Sequence, residues 1–151
     1  MKSNIVVKKI TENDFMISIP SGEKIIETLN EFAKEYQVVS GSIQGIGATS
    51  SIEYGLVDDF GKYICKKDDK GLQEVTTLIG NFTINKSINK VTPHLHVTYF
   101  DNNHDCKGGH LFEGTVGLII ELNLRVFFNK NQEVIRRQDN QKKELFFITH
   151  E

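Results

Sequence analysis

Residues 115–128 constrain the fold more than any other stretch. Val116, Leu118, Ile120, Leu122, Leu124, Val126 and Phe128 stand at alternate positions, separated by Gly117, Ile119, Glu121, Asn123, Arg125 and Phe127. Successive side chains leave a strand on opposite faces, so the pattern predicts one long strand with an apolar face and a mixed face. A strand of this kind belongs in the middle of an antiparallel sheet, its apolar face on a core. On the mixed face, Ile119 and Phe127 need cover of their own.

One segment follows the helical period instead. Ile25, Leu29, Phe32, Ala33 and Tyr36 recur at i, i+4, i+7, i+8 and i+11. That spacing predicts an amphipathic helix of about four turns with one buried stripe. Pro20 ends the preceding strand, Ser21 suits the N-cap and Glu23 suits the first turn. Further strands are expected at residues 15–19, at 38–57 with bends at Gly41, Gly45 and Gly47, and at 74–84, 94–100 and 145–148. The expected class is α+β: a single domain over 1–151 with its core at about 15–128. It consists of a curved, mostly antiparallel sheet and one main helix.

At 151 residues the chain has the length of one domain with one substantial core. A net charge of −2 gives no general attraction to nucleic acid or an anionic membrane. The first residues lack the apolar run of a signal peptide, and no stretch reaches the roughly 18 apolar residues of a membrane span. Cys65 and Cys106 are too few for a disulfide framework, so a reducing, cytoplasmic setting is expected. Arg136-Arg137 and Lys142-Lys143 form a modest basic tail, diluted by Asp139 and Glu144, which reads as solvated surface.

Three of the five histidines fall close together, in Pro93-His94-Leu95-His96-Val97 and Gly108-Gly109-His110-Leu111. On one strand His94 and His96 share a face, their Cα atoms about 7 Å apart. The two glycines suit a tight return that brings His110 opposite the pair. From spacing alone two readings stand: three separate histidines hydrogen-bonded on a sheet surface, or one metal centre. Three neutral imidazoles suit Zn²⁺ and leave a fourth position for water or a carboxylate, while nickel, copper or iron also accept nitrogen. His104 and Cys106 lie in the intervening turn and read as incidental. Glu113 is the nearest carboxylate after His110, but its odd offset sends it to the opposite face.

These segments, with Val39-Ser40-Gly41-Ser42-Ile43-Gln44-Gly45-Ile46-Gly47-Ala48 and Leu78-Ile79-Gly80-Asn81-Phe82, resemble the plant-and-prokaryote-conserved (PPC) domain. The similarity is to its stand-alone prokaryotic form, without an AT-hook, and it covers roughly residues 15–128. It implies a homotrimer and a metal held by His94, His96 and His110. Plant members of the family join the domain to AT-hooks and act in transcription. This sequence contains no Arg-Gly-Arg-Pro core.

Three functions follow as expectations. The first is a trimeric, metal-binding regulatory or ligand-sensing protein whose open zinc site takes a small anion or carboxylate. The second is a metal-dependent enzyme acting on a small molecule, with no catalytic residue assignable beyond the histidines. The third is a DNA-binding regulator, as in plants, which an acidic chain favours least.

Overall fold

Alternating segments fill most of this chain, and in the structure they pair into one sheet. The computed structural model describes residues 2, 4–142 and 144–149. Its elements run β1 (Val6–Lys9), β2 (Asp14–Pro20), α1 (Ile25–Glu35), β3 (Ser40–Val57), β4 (Tyr63–Asp68) and β5 (Gln73–Asn85). They continue with β6 (Lys90–Phe100), β7 (Cys106–Phe127), β8 (Ile135–Gln138) and β9 (Phe146–Ile148). Among the described residues no helix is long and apolar enough to cross a membrane.

The predicted central strand is part of β7, which is 22 residues long and pairs with β2, β3 and β6. β3 also pairs with β5, and β5 with β6, so the ladder closes on itself through β3, β5, β6 and β7. Closure turns one face of these long strands inward. Ile43, Leu78, Phe82, Leu95, Val97, Ile120 and Leu122 are buried there. Helix α1 packs on β6 and β7 and adds Ile25, Leu29, Phe32 and Ala33 to the same core. Phe32 stacks on Tyr36 at 4.6 Å, and Phe15 meets Phe32 edge-on at 5.4 Å, both favoured arrangements for aromatic pairs.

The α+β expectation is corrected by this arrangement. The protein is mostly β: a nine-stranded sheet with a single α-helix among the described residues. The sheet is mixed, because β8 joins β5 in parallel. The physical reason is closure. Long strands that curl onto one another bury much of their own apolar face, so one short helix suffices where an open sheet would need a second layer.

Two local expectations also shift. The helix has 11 residues, about three turns, and starts at Ile25. Ser21 does not cap it; its hydroxyl donates to the Gly117 carbonyl at 2.8 Å. The cap comes from β7, where Glu113 Oε1 accepts from the Ile26 amide at 2.9 Å. In β7, Leu118 leaves the apolar face and is 61% exposed. Between Gly47↔Ile120 and Thr49↔Val116, β7 advances four residues while β3 advances two, and the surplus bulges outward.

Candidate metal centre and its pocket

Leu95 and Val97 on β6 face the core, so the period of two sends His94 and His96 to the outer face of the sheet. β6 pairs with β7 only from His96↔His110 to Phe100↔Cys106. Beyond that point β7 leaves β6 and continues along β3, with His110 opposite Gly55. The histidines therefore sit at a fork between two strands. Pro93 lies on the freed side of β6, where a missing amide donor costs no ladder bond on that side.

The turn is not made by Gly108 and Gly109. It is made by residues 101–105, where Asp101 Oδ1 accepts from the Asn103 and Asp105 amides at 2.8 and 3.0 Å. The glycines lie within β7 and permit close approach. A Cβ on Gly108 would strike the Val97 carbonyl, and one on Gly109 would lie 2.5 Å from the Gly55 carbonyl. A side chain at either position would clash with the backbone of a neighbouring strand, so the strand pairing that sets His110 opposite His96 would have to shift.

Each of the three imidazoles offers a nitrogen, and these nitrogens all lie within 4.8 Å of one another. Ring centroids are 5.3 Å apart for His94 and His96, 4.9 Å for His94 and His110, and 5.6 Å for His96 and His110. Burial, then the Arg136 charge and the neighbouring imidazoles, hold His94 down at about 4. Burial, then His96 and Arg136, hold His110 at about 4. Both rings are neutral near pH 7, the state in which an imidazole nitrogen carries a free lone pair.

One atom tests whether a metal fits. His110 Nδ1 is buried without a hydrogen-bond partner. An orphaned buried nitrogen is uncommon in folded proteins because it forfeits its hydration. A cation shared by converging neutral imidazoles satisfies such a nitrogen, and three nitrogen donors with an open fourth position suit zinc chemistry.

The other expected candidates lie elsewhere. His104 is in the turn with φ 63°, and Cys106 is exposed at the start of β7. Glu113 holds the helix terminus, on the face opposite the histidines, as its offset predicts. Of the basic tail, Lys143 lies outside the described residues. Arg136 is not solvated surface. It is half-buried on β8 and lines the same cavity as the histidines, about 640 Å³ in volume. Tyr63 and Phe112 wall that cavity, their rings 4.9 and 4.8 Å from that of His110. Sequence reasoning missed all three. Tyr63 and Phe112 carry no signal beyond strand composition, and Arg136 reaches the site only because β8 docks beside β5.

Residues 8–128 match the Plants and Prokaryotes Conserved (PCC) domain, also written PPC. The chain belongs to this family. Among solved structures, a protein of Bacteroides thetaiotaomicron named as a candidate DNA-binding protein is 26% identical. The match covers 96% of each chain with a TM-score of 0.83. A metal-containing protein of Archaeoglobus fulgidus is 23% identical over 99% of this chain and 100% of its own, with a TM-score of 0.77. A PPC protein of Pyrococcus horikoshii is 20% identical over 99% and 97%, with a TM-score of 0.72. Among curated proteins none matches. This PPC-domain chain shares its overall fold with all three structures.

Proposed function

We propose that this PPC-domain protein holds one divalent ion, zinc before other metals, on His94, His96 and His110. In this reading it serves as a homotrimeric regulatory or ligand-binding protein of the cytoplasm. The observations that carry the reading are that one nitrogen of each imidazole lies within 4.8 Å of the others and that His110 Nδ1 is buried and unpaired. The Archaeoglobus relative, named for its metal, points the same way, but at 23% identity it argues fold, so the weight rests on the histidine geometry. Bound there, zinc would polarise an oxygen donor or acidify a water. The chain's own contribution is to hold three imidazole rings in place and to wall one side with Tyr63 and Phe112.

Trimer formation is supported by the outer face of the sheet, where Ile46, Ile79, Leu118 and Ile119 are exposed. Ile79 lies opposite His96 in the β5–β6 register, so a second copy covering it would come up beside the histidines. Elemental analysis of the purified protein, beside His94→Ala, His96→Ala and His110→Ala, tests the metal. Stoichiometric metal in wild type and its loss in each variant is expected. Wild type without metal after reconstitution, or variants that keep it, would sink the proposal. Sedimentation equilibrium at micromolar concentration should give three times the monomer mass, and a stable monomer would remove the trimer.

A second reading, DNA binding, has the name of the Bacteroides relative in its favour. Against it stands a net charge of −2. Only weak binding is expected in an anisotropy titration at about 0.15 M salt. Sub-micromolar, sequence-selective binding would restore this reading.

A further inference from the structure

The cavity beside the histidines contains a cation whose hydrogen-bonding capacity is largely unused. Arg136 Nη1 donates to the Phe146 carbonyl at 3.4 Å, and Nη2 donates to Asn81 Oδ1 at 3.5 Å. Both bonds are long, and Nε is buried with no partner at all. Among the described residues no carboxylate forms an ion pair with this guanidinium. A guanidinium stays charged at any physiological pH and offers five donors. Burying one without a counter-ion is costly unless an anion completes it.

The fold places this group deliberately. Ile135 is buried in the core and pairs with Ile84 on β5, so the alternation on β8 sends the next side chain to the outer face. There the guanidinium faces the same space as the three imidazoles, between β5 and the Phe146–Phe147 strand. The planar fork matches two oxygens of one carboxylate, and lysine lacks that geometry. Tyr63, Pro93, Phe112 and Leu145 give the space apolar walls that suit a hydrocarbon body. Thr83, Asn85 and Thr92 add polar ones, and the Glu144 carboxylate, which also lines it, is engaged by the Tyr63 amide at 2.6 Å.

We infer that this pocket takes a small organic carboxylate, its two oxygens on the Arg136 fork and its apolar body between the aromatic walls, pointing toward the histidine cluster. The inference rests on the metal-site reading for the ligand's second contact alone, since the fork and the walls are present whether or not a metal is bound.

Benzoate is the probe, with benzyl alcohol as its uncharged counterpart and inorganic phosphate as a competing oxyanion. Calorimetric titrations are run on zinc-loaded and chelator-treated wild type, Arg136→Gln and Arg136→Lys, with metal content measured in parallel. Wild type should bind benzoate in both states, more tightly with zinc, and bind benzyl alcohol and phosphate more weakly. Arg136→Gln should weaken benzoate by roughly 10- to 100-fold with metal content unchanged. Arg136→Lys should recover little of that loss. The Arg136 Nε–H signal in a ¹⁵N spectrum should shift on adding benzoate, a readout that a purely structural role would not move. Equal benzoate affinity in wild type and Arg136→Gln, no benzoate binding to wild type, or tighter phosphate than benzoate binding would overturn the inference. If no preparation holds metal but the Arg136 dependence remains, the metal reading fails and the carboxylate pocket stands.

Discussion

The β6–β7 hairpin carries two polar clusters a few residues apart, and they are completed in opposite ways. Near the turn, Lys107 donates to Asp68 at 3.0 Å and to Asp101 at 2.6 Å, and the buried Tyr99 hydroxyl donates to Asp68 at 3.2 Å. Cation, carboxylates and phenol satisfy one another, so this cluster ties the hairpin end to β4. Three residues on, His94, His96 and His110 converge beside Arg136, and both His110 Nδ1 and Arg136 Nε lack partners. A satisfied buried network specifies structure, whereas unpaired buried atoms call for a further explanation, and a bound ion or ligand is the one proposed above. Position on the hairpin does not separate the two. Only the accounting of donors and acceptors does.

The sharpest way to break the comparison is one deletion in each cluster. His110→Ala should abolish stoichiometric metal while lowering the urea midpoint of metal-free protein only modestly. The packing its ring loses on Tyr63 and Phe112 is offset in part by removal of an unpaired buried nitrogen. A large fall in the metal-free midpoint would show that His110 is structural after all. Lys107→Met is the mirror image. It leaves Asp68 and Asp101 without their shared cation, and should lower the thermal midpoint more than any single surface-charge removal while metal content stays the same.

Acid sharpens the comparison further. Burial alone would raise Asp68, but hydrogen bonds from Lys107, the Lys70 amide and Tyr99 outweigh it and leave the carboxyl below its ordinary 3.8. The Lys107 bond, with the turn amides, lowers Asp101 likewise. A depressed carboxyl stabilises the fold above its unfolded value and loses that contribution as pH falls through the folded one. Lys107 is raised, chiefly by its bonds to Asp101 and Asp68, so its share persists to above 10.5. The gap in thermal midpoint between wild type and Lys107→Met should therefore stay level from about pH 5 to pH 9 and close below about pH 4. A gap that widens on acidification would contradict the assignment.

Two smaller effects calibrate the scale. Glu113→Ala removes the carboxylate that caps α1 from β7, and should cost about 0.5–2 kcal/mol by urea unfolding with metal binding intact. Lys67→Met breaks an exposed pair with Asp69 and should change stability by at most about 0.5 kcal/mol.

Much of the fold was legible because its signals are local. The alternation over residues 115–128 located β7, and the i, i+4, i+7 stripe located α1. HxH on a strand placed His94 and His96 on one face, and the backbone of β7 brings His110 directly opposite His96. Errors came where a long-range contact outcompeted a local preference. Ser21 is a good N-cap residue, yet a carboxylate 87 positions from Ile26 caps the helix. Leu118 has the right period, yet a bulge against β3 turns it outward.

The sequence by itself determined which residues alternate, where the helix lies and which histidines share a strand, since each depends on neighbours within a few positions. Tertiary structure alone decided that the sheet closes into a mostly β fold, that β6 and β7 part at the histidines, and that Arg136 turns into their cavity. Those outcomes depend on which distant strands pair and in what register. Pairing of that kind is fixed by the burial of whole faces at once, and no short window of residues contains it.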